Sequence, residues 1–129
     1  MSADSTVLLI DDSYIDRLVS GMLIKRTFGI GEVHEASGGK QAIDWLVSRG
    51  VQMNGELLIL LDIMMPQMNG FEFLEHFEKL ETTLKDKVSI IMLSSTLDHD
   101  DVDRARKHPY VKKLLSKPLS ANELRDYLA

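Results

Sequence analysis

Residues 57–70 read LLILLDIMMPQMNG: five consecutive apolar residues, then Asp62, then a Met- and Pro-containing stretch closed by Asn69-Gly70. An uninterrupted apolar run of that length, bounded by turn residues, predicts a strand covered on both faces. Two other runs share this character, residues 7–10 before Asp11-Asp12 and residues 90–93 before Ser94-Ser95, with long helical patterns between them. Buried strands alternating with helices predict an α/β domain with a parallel sheet. Ligands of such sheets gather outside the carboxyl ends of the strands, at a switch point in the strand order. Asp11, Asp12, Asp62, Ser94 and Lys117 all fall at such ends. After one strand, an aspartate is ordinary cap chemistry for the next helix. With several strand ends converging, the set reads as one site.

The chemistry of that set is restrictive. Three carboxylates within a few ångströms repel one another, so without a cation at least one holds its proton above the ordinary range. A hard divalent cation removes the conflict, and Mg²⁺ suits it because it takes one or two carboxylates, keeps several waters and accepts a phosphate oxygen. Zinc does not fit: there is no Cys, and His34, His76, His99 and His108 show no usual zinc-ligand spacing. Lys117 supplies a positive charge for a phosphoryl group, and the Ser94 hydroxyl can donate to one of its oxygens. Ser37-Gly38-Gly39-Lys40 superficially matches a phosphate-binding loop, but His34 stands where the leading Gly is needed and Gln41 where Ser or Thr is needed. Met64, Met65 and Met68 beside Pro66 read as packing rather than soft-metal ligands.

Composition bounds the rest. A chain of 129 residues, 44% apolar, is expected to form a single domain over 1–129 with an adequate core. A net charge of −5 argues against nucleic-acid binding through a basic surface. The absence of Cys fits a reducing cytoplasm. MSADST at 1–6 is polar, and the apolar run after it is far shorter than a secretory or membrane-spanning segment, so no membrane association is expected.

Five strand–helix pairs are predicted, numbered in chain order. Strand β1 at 6–10 leads to α1 at about 13–28, whose Ile15, Leu18, Val19, Met22 and Leu23 lie at helical spacing and are expected to face the core; Gly29 and Gly31 end it. Strand β2 near 32–35 precedes α2 at 38–49, with Ile43, Leu46 and Val47 as its buried stripe and Trp45 off it. After β3 at 57–61, Asn69-Gly70 has the look of a hairpin turn. Phe73, Phe77 and Leu80 continue at i, i+4 and i+7, however, and predict α3. A loop is expected at 81–87, then β4 at 88–93 and a lightly packed α4 from a cap at Asp98 to Lys107, with Val102 and Ala105 as its main apolar residues. His108-Pro109 breaks it before β5 at 111–115, and Ser120-x-x-Glu123 reads as a capping box for α5, with Leu124 and Leu128 facing in.

Four stretches in order, LLIDD at 8–12, LLDIMMPQMNGFEFL at 60–74, IIMLSS at 90–95 and LSKPL at 115–119, resemble the receiver domain of two-component response regulators, in length the stand-alone chemotaxis type. The resemblance implies a doubly wound, flavodoxin-like, five-stranded parallel sheet of order 2-1-3-4-5. It implies that Asp62 is the nucleophile that accepts a phosphoryl group from a sensor histidine kinase or histidine phosphotransfer protein. Asp12 is then a direct Mg²⁺ ligand and Asp11 acts mainly through a metal-bound water; Asp62 and the Met64 carbonyl complete the set. Ser94 and Lys117 hold the phosphoryl oxygens, helped by the backbone N–H groups of Met64 and Ser95. Such a domain catalyses only its own phosphorylation and dephosphorylation, and signals to a protein target through its α4-β5-α5 side rather than to nucleic acid.

Two departures from the family pattern matter. Leu114 stands three residues before the lysine, where many receivers carry Tyr or Phe as an aromatic read-out. Met64 and Thr96 flank the path of attacking water, and an apolar side chain at 64 does not position that water. Three alternatives stay open at this level. A haloacid-dehalogenase-like phosphatase needs Asp-x-Asp where this chain has Asp11-Asp12-Ser13. A pseudo-receiver binds partners without phosphorylation, and a regulator with an output domain extends beyond these residues.

Overall fold

A computed structural model describes residues 5–128 of the chain, without the side chain of Leu128. The polar start at 1–4 and the expected inward face of Leu128 lie outside the described residues. Five parallel strands, Thr6–Ile10 (β1), Glu32–Ala36 (β2), Leu57–Asp62 (β3), Val88–Ser94 (β4) and Val111–Ser116 (β5), form one sheet of order β2-β1-β3-β4-β5. The helices are Tyr14–Phe28 (α1), Gly39–Ser48 (α2), Gly70–Phe77 (α3), His99–Arg106 (α4) and Ala121–Leu128 (α5). The order reverses between β1 and β3, which opens the crevice at their carboxyl ends.

Alternate residues of the apolar strands serve opposite faces, as a period of two requires. Leu8, Ile10, Ile59, Leu61, Ile90 and Met92 join Leu46 of α2 and Phe73, Leu74 and Phe77 of α3 in one core. Val7, Leu9, Leu58, Leu60, Ile91 and Leu93 meet Ile24 of α1 and Leu124 of α5 in the other. Each fully buried side chain of this size stabilises the fold by roughly 1.5–3 kcal/mol. A register shift between Ile90 and Ile91 sets Leu114 opposite Met92, so Leu114 belongs to the first core, only 8% exposed.

The structure corrects the expected face of α1. Ile15, Leu18, Val19 and Met22 are exposed, Ile15 by 62% and Val19 by 56%, and only Gly21 and Ile24 of this helix are buried. The sheet-facing side is the row Arg17, Gly21 and Ile24. Arg17 Nη1 donates to the Asp11 carbonyl at 2.6 Å while its Nε pairs with Glu35 at 2.9 Å. Gly21 lies beside Leu9, where a Cβ would make an ordinary contact at 3.6 Å. Periodicity therefore found a real apolar stripe, but a polar anchor turned it outward.

The other elements depart less, or not at all, from expectation. Of the expected α2 stripe, Leu46 is buried and Ile43 packs against the first core, but Val47 is 50% exposed; Gly39 and Ala42 complete the buried side. Trp45 is half-buried beside His34, with ring centroids 5.0 Å apart. The expected loop at 81–87 contains a single helical turn, Thr82–Lys85, pinned by buried Leu84. Asn69 does not make a hairpin. Its Oδ1 accepts from Glu72 N at 2.9 Å while Glu72 Oε1 accepts from Asn69 N at 3.0 Å, a complete capping box that starts α3. Asp98 caps α4 as expected, accepting from Asp100 N at 2.8 Å. Light packing of α4 also holds: Ala105 is its one buried residue among those described, and the Arg104 guanidinium lies 3.9 Å over the Phe71 ring.

Between β3 and α3 the backbone closes tightly on itself. Gln67 takes a left-handed φ of 69°, and Gly70 N donates to the Ile63 carbonyl at 2.8 Å. A Cβ at Gly70 would stand 2.8 Å from the Asp62 carbonyl oxygen and 3.0 Å from Ile63 Cα, both backbone atoms with little room to yield. Gly70→Ala is therefore expected to destabilise the protein by about 1–3 kcal/mol through overpacking. Urea unfolding with an unchanged midpoint would contradict this close approach.

Candidate functional site

The parallel register delivers the site. Ile10 lies level with Leu61, and Asp62 level with Leu93, so the residues that follow β1 emerge beside the end of β3. Asp11 and Asp62 are buried and Asp12 is exposed, and one carboxylate oxygen from each lies within 4.8 Å of the others. Lys117 N donates to the Ser94 carbonyl at 2.8 Å, which extends the β4–β5 pairing by one step and brings the lysine to the same end of the sheet. The Lys117–Pro118 peptide is cis.

Lys117 is the hub of this arrangement. Its Nζ donates to Asp11 Oδ2 and to Asp16 Oδ2, each at 2.8 Å, and stands 3.5 Å from Asp62 Oδ2. The other oxygen of Asp11 accepts from Ser13 N at 2.9 Å, and Asp62 Oδ1 accepts from Met64 N at 3.3 Å. Burial pushes the Asp62 carboxyl up to about 6, and the neighbouring Asp11 charge pushes the same way against Lys117 and the Met64 N–H. Burial works against the charged form of Lys117, but its bonds to Asp11 and Asp16 and the nearby Asp62 charge outweigh that and hold the ammonium above the ordinary lysine range. The single ammonium thus leaves Asp62 under-neutralised. Converging oxygen donors with no Cys or His among them suit a hard cation.

The remaining expected site residues are placed unevenly. Ser94 is 2% exposed, and its hydroxyl donates to the Thr96 carbonyl and accepts from Thr96 N at 3.2 Å, so it serves its own loop in this conformation. Ser95 is exposed. Met64 is 69% exposed at the rim. Leu114 is core, not rim, as described above. Sequence reasoning missed Asp16 and Arg17, the residues through which α1 grips the site. The available signal was Ser13-x-x-Asp16, a cap pattern that gives the helix start but not the direction of the carboxylate. Beside Lys117 a groove runs between α1 and the end of β5, lined by Asp16, Val19, Ser20, Leu93 and Pro118. Among the described residues no helix is long and apolar enough to cross a membrane.

Comparison with known proteins agrees with this geometry. The family described as response regulator receiver domain matches residues 7–129. A response regulator receiver protein of Dyadobacter fermentans superposes with a TM-score of 0.86 at 34% identity, covering 96% of this chain and 94% of that one. A two-component response regulator of Cytophaga hutchinsonii gives 0.87 at 33% identity, covering 95% and 92%. A protein-glutamate methylesterase/protein-glutamine glutaminase of Treponema pallidum is 38% identical over 92 residues, 71% of this chain. The chain spans only 21% of that enzyme's length. The sheet order, the acidic strand ends and the match over 7–129 lead to one conclusion: the chain belongs to the response regulator receiver domain family of two-component systems.

Proposed function

We propose that the chain accepts a phosphoryl group on Asp62 from a phosphohistidine donor, with Mg²⁺ at Asp11, Asp12, Asp62 and the Met64 carbonyl, and thereby changes its affinity for a protein target. The observation that carries this reading is Asp62 itself: a buried carboxylate at a strand end, 3.5 Å from one ammonium and crowded by two further aspartates. An Asp62 oxygen attacks phosphorus, the P–O bond forms as the P–N bond to the donor imidazole breaks, and the imidazole leaves with the electron pair. Bound Mg²⁺ would neutralise charge developing on the phosphoryl oxygens. Lys117 donates to one of those oxygens, and the N–H groups of Met64 and Ser95 assist. Ser94 reaches another by releasing the Thr96 carbonyl, which draws the β4–α4 loop toward the site and biases the lightly packed α4 and β5-α5 beyond it. Met64 carries no group able to activate water, which favours a slowly hydrolysed aspartyl phosphate. A haloacid-dehalogenase-like phosphatase is not favoured, since Ser13 stands where its Asp-x-Asp needs the second carboxylate.

The donor must bring its imidazole over the same rim. Exposed Tyr14, Ile15, Leu18, Val19 and Met22 form an apolar face on α1 beside the groove that ends at Lys117. We assign this face to the histidine kinase or phosphotransfer protein, leaving the α4-β5-α5 side to the downstream target.

Free Mg²⁺ at tenfold its Kd should stabilise the protein by about 1.4 kcal/mol, and Asp12→Ala should lose most of that gain. The metal-free protein adds a sign test. With its folded value raised to about 6, Asp62 binds a proton that the unfolded chain releases nearer 4, so its contribution favours folding at acidic pH and disappears as pH rises through 6. In EDTA the melting temperature of wild type minus that of Asp62→Asn should therefore fall from acidic to neutral pH. A difference that rises with pH would contradict the burial of this carboxyl.

On incubation with acetyl phosphate and Mg²⁺, intact mass should show phosphoryl uptake in wild type and none in Asp62→Asn. Lys117→Ala should keep Mg²⁺ binding yet take up the group poorly. Beryllofluoride with Mg²⁺ should change hydrogen exchange at 94–107; full uptake with no change there would exclude the loop movement. Leu18→Asp should slow transfer from a phosphorylated histidine phosphotransfer protein at least ~tenfold, by charging the apolar face, while leaving acetyl phosphate uptake intact. Equal loss with both donors would count against α1 as the docking face.

A further inference from the structure

Lys117 has more partners than phosphoryl chemistry requires. Asp11 and Asp62 belong to the strand-end cluster, but Asp16 does not: it lies in the first turn of α1, its side chain 45% exposed, outside the group of carboxylates that converge. Its position explains why it is available. Ser13 is the N-cap of α1, and an acid three residues later ordinarily folds back onto the N-cap N–H. Here that N–H donates to Asp11 Oδ1 at 2.9 Å, while Ser13 Oγ accepts from Asp16 N at 3.2 Å. The Asp16 carboxylate is left to reach across the groove to Lys117.

We propose that Asp16 is a positioning residue that restrains Lys117 on the α1 side of the site, so that a phosphoryl group on Asp62 must draw the ammonium away from it. This rests on the reading of Asp62 as phosphoacceptor and adds a regulatory residue to it. An ammonium has three donors, and two are already committed at 2.8 Å to Asp11 and Asp16. The third points toward Asp62, 3.5 Å away, and a phosphoryl oxygen that takes it must pull the ammonium against the two shorter bonds, which stretches one of them. Asp16 is the one to yield, because water reaches its half-exposed carboxylate and can replace the ammonium there, whereas Asp11 is buried. The fraction of molecules with Lys117 free then scales the apparent affinity of the site. Release also leaves an unpaired carboxylate beside Ile15 and Val19, so the state of Asp62 is felt on the apolar face of α1.

The test is calorimetric titration of beryllofluoride into the full chain at saturating Mg²⁺. Asp16→Ala and Asp16→Asn should both bind about fivefold tighter than wild type, the size expected for loss of one solvent-screened competing pair. Mg²⁺ affinity and melting temperature, measured alongside, report the fold and the cation site separately. If Asp16 merely supports the first turn of α1 through the helix dipole, melting falls and beryllofluoride affinity stays put, which overturns the restraint. Weaker binding would show that Asp16 holds Lys117 in a productive place, and overturns it too. Glu35→Gln removes a negative charge that touches Arg17 and not Lys117; an equal gain there would reduce Asp16 to one charge among several at the rim. Wild type that binds Mg²⁺ but no beryllofluoride would instead defeat the phosphoacceptor reading, and this inference with it.

Discussion

Everything at the carboxyl edge of this sheet turns on one imbalance, an ammonium shared among more carboxylates than it can neutralise. Lys117 touches Asp11 and Asp16 at 2.8 Å and reaches Asp62 only at 3.5 Å. Asp62 is thus the buried member with the weakest counter-charge, and its carboxyl is pushed up to about 6. Such a group is suited to accept what completes it, a cation on one side and a phosphoryl group on the other. On the proposed function the same lysine would be a moving part, because a new anion at Asp62 competes for it.

The scaffold holds these charges together by devices distant from the chemistry. Two apolar cores clamp the central strands on both faces, so the ends of β1 and β3 have no freedom to drift apart. Gly70 lets the start of α3 rest against the Asp62 backbone, and the Asn69–Glu72 capping box fixes where that helix begins. On the other side Arg17 binds the Asp11 carbonyl, tying α1 to the site. Packing thins after β4: the loop after Ser94 is exposed, and α4 contributes a single buried residue among those described. The elements that the proposed function would move are therefore those with least packing.

The apolar face of α1 adjoins the groove that ends at Lys117, and the side formed by α4, β5 and α5 adjoins the loop after Ser94. On the proposed function, the first would meet the phosphodonor and the second the target. Leu114 sits within the core on that side, so the proposed response there would be a repacking rather than the exposure of an aromatic ring.

Sequence alone was enough for the α/β class, the strand order through the family resemblance, and the membership of the acidic cluster, because each rests on local signals. Short apolar runs bounded by turn residues fit strands buried on both faces, and Asp62, Asp11-Asp12 and Lys117 stand at the ends of strands. Asn69-Gly70 could be rescued from a hairpin reading because Phe73 and Phe77 continue at helical spacing. What stayed illegible depends on contacts between distant residues. Periodicity detects that Ile15, Leu18, Val19 and Met22 share a face but is silent on whether it turns inward; Arg17 decided that through Asp11. Leu84 needed a neighbouring core before a polar stretch could become a helical turn. Asp16 went unnoticed, and only the tertiary fold, by giving the Ser13 N–H to Asp11 and bringing Lys117 from 101 residues away, made it part of the site.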